Sequence, residues 1–203
     1  MAVRDVDIDE KLLAAARKEF LEKGFREASL RKIAASAGIT TGAMYNRFSG
    51  KDALFESVVK GALTATEQKF RELRALYEKK FATGSPDALS EAIGAEAETI
   101  TDLIFDYYEE YRLLICKSQG SRLEAFYDEL VEMKIGLSRE YLKQNQYHVD
   151  EDVLRILIYS EFERYRQIIC MGLNKEKAKK VLQEIMKYSM CGWNALLRQG
   201  KED

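Results

Sequence analysis

The sequence predicts an all-α protein with a small N-terminal helical head joined to a larger helical body, and three features of the chain predict it. A single proline, Pro86, stands among abundant Ala, Leu, Glu and Lys, so helices are favoured almost throughout. Apolar residues recur at the three- and four-residue spacing of one helical face, and no β-hairpin signal interrupts them. Glycines at 24, 38, 84 and 172 fall between the periodic stretches, where a helix must stop. At 203 residues the chain is long enough for a large core, divided here as residues 1–50 and 51–203.

The elements follow in order. Asp7 and Glu10 begin a capping arrangement for a first helix, Asp9 to Lys23, with Leu12, Leu13, Ala16 and Phe20 as its apolar stripe. Gly24 ends it, and Phe25 and Ala28 bridge into the next stretch. There Leu30, Ile33, Ala34 and Ala37 make one buried face, with Ser29 as cap. Gly38 stops that helix, Ile39 plugs the corner and Thr40 caps another running to about Phe48. In it Met44 and Phe48 point inward, so Thr41 and Tyr45 point largely outward beside Gly42 and Asn46. Two short helices about a glycine turn have the geometry of a helix-turn-helix, whose second helix enters the DNA major groove.

A long helix then starts near Lys51 and carries Leu54, Phe55, Val58, Val59, Ala62, Phe70, Leu73 and Tyr77 before ending around Gly84. At roughly 30 residues it would be about 45 Å long, enough to join a head to a body. Ser85 and Pro86 cap the next helix, which includes Leu89, Ile93, Ile100, Leu103 and Ile104 and runs on through Tyr107, Tyr108 and Tyr111, with a kink around Glu109. A break near Lys117 to Ser121 precedes a helix from Arg122 to Lys143 with the stripe Leu123, Phe126, Leu130, Met133, Leu137 and Tyr141. After a loop from Gln144 to Asp150 come two last helices, Glu151 to about Met171 and Lys175 to about Arg198. Gly172 and Asn174 are the stop and cap between them.

Composition narrows the function. The net charge of −2 is unevenly spread: Lys23, Arg26, Arg31, Lys32, Arg47 and Lys51 stand against the single acid Glu27 between positions 23 and 51. A basic face on an acidic chain suits phosphate binding by counterion release. No apolar run approaches the ~18 residues of a membrane span, and the N-terminus lacks the apolar segment of a signal peptide, so a cytoplasmic location is expected. Cys116, Cys170 and Cys191 are widely separated and are read as buried free thiols. Enzyme chemistry has little support. The single histidine, His148, falls in a loop, and no Glu-x-x-His pair, phosphate loop or serine elbow is present, so neither metal nor cofactor is expected.

The run AxxAGITTGAMYNRFSGKDALF resembles the DNA-binding signature of the TetR family of bacterial transcriptional regulators. It has the alanine-rich supporting helix, the glycine turn, a tyrosine followed by a basic residue and Phe, and a lysine opening the next helix. The likeness in detail covers roughly residues 7 to 60, and beyond that it is architectural. Arg47 departs from the histidine many members carry, but keeps a phosphate-seeking donor. The resemblance implies that Thr40, Tyr45 and Lys51 grip phosphates, that Thr41, Gly42 and Asn46 meet base edges, and that Ser29, Lys32 and Arg47 complete the DNA contacts. It further implies a homodimer on a near-palindromic operator, repression as the commoner outcome, and a small-molecule effector. A ligand-independent architectural DNA-binding protein is the rival reading, and a helical-bundle enzyme a remoter one.

Two further groups complete the expectations. In the last helix Val181, Ile185, Tyr188, Gly192, Trp193 and Leu196 form a broad apolar stripe suited to a four-helix dimer interface, with Gly192 permitting close approach. Tyr107, Tyr108, Tyr111, Phe126, Met133, Phe162 and Tyr165 are candidate walls of an effector pocket, although most aromatic stripes are merely core. Glu161 sits on the apolar stripe of Ile158, Phe162 and Tyr165, where a carboxylate is costly unless paired. A tyrosine hydroxyl or Arg112 inside the fold would satisfy it. If it faces a cavity instead, aromatic walls and one carboxylate favour a flat or cationic organic ligand.

Overall fold

The computed structural model describes residues 6–81 and 88–199. Among these the chain forms nine α-helices and no strand: the all-α class is the one expected, and the additional helix comes from a break at Tyr107. They are α1 (Val6–Glu27), α2 (Leu30–Ser36), α3 (Thr41–Tyr45), α4 (Lys51–Phe81), α5 (Ala88–Asp106), α6 (Tyr108–Cys116), α7 (Phe126–Gln144), α8 (Glu151–Met171) and α9 (Lys175–Gln199). Gly84, Ser85 and Pro86, read as a stop and start signal, lie outside the described residues. No described helix is long and apolar enough to cross a membrane.

The chain divides into two compact units, Met1–Thr64 with Tyr107–Tyr127, and Ala65–Asp106 with Asp128–Asp203. In the first, α1 carries its helical geometry only up to Gly24, whose φ of 75° and ψ of 167° break the regular turn. The amide of Phe25, freed by that break, donates to the Lys117 carbonyl oxygen at 2.8 Å. Leu12, Ala16 and Phe20 of α1 are fully buried with Ile33, Met44, Leu54 and Phe55. Phe55 meets Phe20 and Phe25 edge-on, at centroid distances of 5.0 and 5.3 Å, the arrangement that ring quadrupoles favour.

α1 starts at Val6 rather than Asp9 and α3 ends at Tyr45 rather than about Phe48, and two further boundaries differ from the sequence reading for local reasons. The helix expected to run through Tyr107 and Tyr108 breaks at Tyr107, at φ −125° and ψ 42°, and α6 starts afresh at Tyr108. The Tyr107 ring closes on Gly61 of α4, where an added Cβ would lie 3.0 Å from ring carbon Cε1. On α6, Glu110 pairs with Arg17 of α1 at 2.8 Å. The second difference is that α7 begins at Phe126 rather than Arg122. Side-chain oxygens capture the amides ahead of it: Gly120 donates to Glu124, Arg122 to Asp52 and Leu123 to Ser121, at 2.9, 2.9 and 3.1 Å. Such local acceptors compete with the helical ladder.

In the second unit α8 is capped by Asp150, which accepts from the amides of Asp152 and Val153. It stops at Gly172 in the left-handed conformation, and Asn174 accepts from the Lys177 amide at 2.9 Å to start α9. The Gly172 stop and the Asn174 cap are those expected, whereas Asp150, read as the end of a loop, is the cap of α8. The buried face of α7 differs from the predicted stripe. Val131, Ile135 and Leu142 face inward, Leu130, Leu137 and Tyr141 are half-buried, and Met133 is 46% exposed. The sequence offers apolar residues on two adjacent faces of this helix, and periodicity alone does not rank them. The cysteine reading is also corrected: Cys116 and Cys170 are each half-cystines rather than free thiols, and Cys191 is a free thiol but exposed. Half-cystines far apart in a chain leave no spacing signal.

Candidate nucleic-acid interface and interior cavity

The turn between α2 and α3 is built by Gly38. With φ at 73° it occupies the left-handed region that a side chain resists. Its amide donates to the Ala35 carbonyl and that of Ile39 to the Ala34 carbonyl, at 3.1 and 3.0 Å, closing the end of α2 in a Schellman arrangement. Ser29 and Thr40 cap the two helices, Ser29 Oγ accepting from the Lys32 amide at 3.4 Å and Thr40 Oγ1 from that of Ala43 at 3.1 Å. Met44 and Phe48 are buried and so fix the rotation of α3. That rotation leaves Thr40, Gly42 and Asn46 exposed, Tyr45 52% exposed and Thr41 half-buried. One face of the helix thus presents a backbone without a side chain, an amide and a phenol, groups able to touch base edges and phosphates.

The basic residues around this face are not equivalent. Lys23, Arg26, Arg31 and Lys32 are exposed. Arg47 is held from α1, its Nε donating to Asp9 Oδ1 at 2.9 Å with both side chains largely covered. Lys51 opens α4 with its Nζ 2.9 Å from the Arg26 carbonyl oxygen and 5.1 Å above the Phe25 ring. Burial lowers the Lys51 pKa, and the carboxylates of Glu27, Asp52 and Glu19 oppose that shift. Ser29, besides capping α2, donates its own amide to Glu19 at 3.1 Å. The Asp9 and Arg26 partners come from α1, so the sequence around the turn does not reveal them.

A cavity of about 150 Å³ lies within the second unit. Its walls are mostly apolar and come from α4, α5, α7, α8 and α9, among them Phe70, Leu73, Ile100, Ile158 and Leu182. Of the sequence-predicted pocket residues, Glu161, Phe162 and Tyr165 line it. Tyr107, Tyr108, Tyr111, Phe126 and Met133 do not: the first four belong to the other unit, and Met133 lies on the outer face of α7. The kink expected around Glu109 falls two residues earlier, at Tyr107, where the first unit resumes.

The cavity also contains charges that the sequence reading did not single out. Lys134 Nζ lies 2.7 Å from Glu96 Oε1, bonds the second Glu96 oxygen as well, and sits 3.3 Å from the Tyr77 hydroxyl. Tyr77 donates to the same carboxylate. Burial disfavours the Lys134 ammonium, but Glu96 and Tyr77 hold its pKa above the ordinary value. Burial likewise pushes the Tyr77 and Tyr165 hydroxyls upward. Glu161 accepts from Trp193 Nε1 at 2.8 Å, and not from Arg112 or a tyrosine. Burial raises the Glu161 pKa, against the opposing pull of Lys134 and the Trp193 hydrogen bond.

The residues expected on the dimer face diverge. Ile185 and Trp193 line the cavity, and Val181 packs on the cluster of Ile168, Ala178 and Leu182. Leu196 is half-buried, while Gly192 is exposed and Tyr188 is 79% exposed. On α8, Ile156 is 65% exposed, with Tyr159 also outward. These were not among the residues read from the sequence, although a three-residue apolar spacing marks them.

Residues 12–58 match the family described as bacterial regulatory proteins, tetR family, which covers α1 from Leu12 through the start of α4. The HTH-type transcriptional repressor KstR2 of Rhodococcus jostii (strain RHA1) is 27% identical over 150 residues, 70% of this chain and 69% of its own length. A TetR-like transcriptional regulator from Rhodococcus sp. RHA1 superposes with a TM-score of 0.59 at 18% identity, over 94% of this chain and 99% of its own. The TetR family regulator CifR, in a cysteine mutant complexed with 26-base-pair operator DNA, superposes at 0.58 with 18% identity, over 88% of this chain and 94% of its own. At such identities the two structures establish the fold alone.

Proposed function

This chain belongs to the TetR family of transcriptional regulators, and we propose that it is a repressor that leaves a near-palindromic operator when a small molecule fills the cavity of its second unit. The observation that carries the reading is the exposed face of α3, where Gly42, Tyr45 and Asn46 stand clear on a helix held by buried Met44. Thr40, Tyr45 and Lys51 hold phosphates, Thr41, Gly42 and Asn46 meet base edges, and Ser29, Lys32 and Arg47 support the contact. Residues 1–50 form the DNA-binding part and residues 51–203 the effector and dimerisation part. The protein works in the cytoplasm, without catalysis and without a cofactor.

Operator footprinting on the purified chain tests the reading, with variants that separate the contact types. Tyr45→Phe removes one phosphate hydrogen bond and weakens binding to every sequence by about 1 kcal/mol. Lys51→Ala lowers the salt slope by about one unit. Asn46→Ala instead changes which bases are preferred, costing about 1–3 kcal/mol of discrimination at one position. Unchanged affinity and preference in all three sinks the assignment. If no compound releases the DNA, the architectural reading takes its place.

A palindromic site needs a twofold protein, and α8 and α9 supply the face for it. Tyr188 and Gly192, four residues apart on α9, and Ile156 and Tyr159 on α8 are outward-facing. At Gly192 an added Cβ would meet nothing within 4 Å, which leaves room for another helix. Two such helices from each copy make a four-helix bundle. Sedimentation at micromolar concentration is expected to give a dimer for the wild type and a monomer for Tyr188→Asp with Ile156→Asp. A folded wild-type monomer contradicts it.

A further inference from the structure

Four carboxylates, Glu78, Glu96, Glu140 and Glu161, and three cations, Arg74, Lys134 and Arg164, line the cavity. Glu96 and Lys134 neutralise each other at 2.7 Å, with their side chains 12% exposed. The ammonium gives hydrogen bonds to both Glu96 oxygens and to Tyr77, so its donors are engaged. Of the four carboxylates, Glu161 has the longest ion pair. Its Oε1 accepts from the neutral Trp193 indole at 2.8 Å, and the guanidinium of Arg164 on the same helix stands 3.8 Å away, outside hydrogen-bond distance. Trp193, Phe162 and Tyr165 line the same cavity and bring aromatic faces to it. A covered carboxylate is costly while its charge is met only by a long, non-hydrogen-bonded pair, and a ligand that approaches it more closely recovers part of that cost.

We propose that the effector is an organic monocation, an apolar body bearing one protonated amine or quaternary nitrogen, whose charge is met by Glu161 and whose flanks contact the aromatic walls. This rests on the small-molecule reading of the cavity and names its ligand class. Cation–π contact with Trp193 and Tyr165 adds to the charge pairing, and Trp is the strongest aromatic partner for a cation. An organic acid is disfavoured on the same geometry, because Lys134, Arg74 and Arg164 each already face a carboxylate that the acid would have to displace. The charged and titratable groups near Glu161 are Arg164 and Tyr165 on α8, Lys134 on α7 and Glu96 on α5.

Trp193 is the single tryptophan of the chain, so its fluorescence reports on this site directly. The full-length protein is titrated with 4-phenylbutylamine, 4-phenylbutanol and 4-phenylbutanoate, one body with cationic, neutral and anionic heads, and with the same three heads on naphthyl and dodecyl bodies. The amine is expected to bind at least tenfold more tightly than the alcohol for the best-fitting body, and Glu161→Gln to bring the two within twofold of each other. Wild type supplies a second reading without a variant: the preference for amine falls as acid protonates Glu161, whose burial places that loss above the ordinary carboxylate range. Equal binding of amine and alcohol, or tighter binding of the acid, overturns the cation proposal and leaves small-molecule sensing standing. Binding by none of the nine compounds overturns the sensing reading with it.

Discussion

Lys134→Met is expected to lower the stability of the fold by about 3–5 kcal/mol, the range seen when one partner of a buried ion pair is removed. Methionine fills much of the lysine's volume, so the loss comes from charge rather than from a hole. It leaves Glu96 among apolar walls, where Lys134 had satisfied both of its oxygens. The double variant Lys134→Met with Glu96→Leu removes both charges, and most of the lost stability is expected to return. Urea unfolding followed by circular dichroism at one fixed protein concentration measures all three proteins. A single variant within 1 kcal/mol of wild type contradicts the expectation, as does a double variant no better than the single. The Lys134 pKa lies above its ordinary value, so on the alkaline side the pair's contribution persists through the physiological range and is lost as the pH rises through that higher value.

Phe55→Ala is expected to cost about 3–5 kcal/mol and to abolish operator binding, although Phe55 is fully buried and lies off the DNA-facing surface. Its ring joins the long helix to α1 through edge contacts with Phe20 and Phe25, so truncation opens a cavity at the junction that orients the helix-turn-helix. Thermal melting and operator titration of the same preparation separate this from a contact effect. Tyr45→Phe should keep the wild-type melting temperature and lose affinity, whereas Phe55→Ala should lose both. Phe55→Leu, which keeps most of the volume, should fall between them. Full operator binding by Phe55→Ala would show that the head is oriented by other contacts.

Much of the fold is legible in the chain because it is local. Gly38, Gly172, Thr40, Asp150 and Asn174 act on backbone groups a few residues away, so their types nearly dictate what they do. Met44 and Phe48 fix the rotation of α3, and with it the exposure of Gly42, Tyr45 and Asn46, through helical spacing alone. Glu161 is legible for another reason: a carboxylate on an apolar stripe signals that something must meet it, wherever that something lies.

What met it was decided by tertiary structure. The partner of Glu161 is Trp193, read in sequence as part of a dimer stripe, since periodicity gives a residue's face but not what lies opposite it. Lys134 and Glu96 look like ordinary surface charges in a helical sequence, and only the packing of α5 against α7 makes them a covered pair. Asp9 reaches Arg47 across 38 residues, and the helix expected to kink around Glu109 breaks at Tyr107, whose ring packs on Gly61. By itself the sequence determined the helical architecture, the turn at Gly38 and the face that α3 presents, because each depends on neighbours within a turn or two. Only the tertiary structure decided which charges are buried and which aromatics share a cavity, because the free energy of a charge or a ring depends on what the rest of the chain brings beside it.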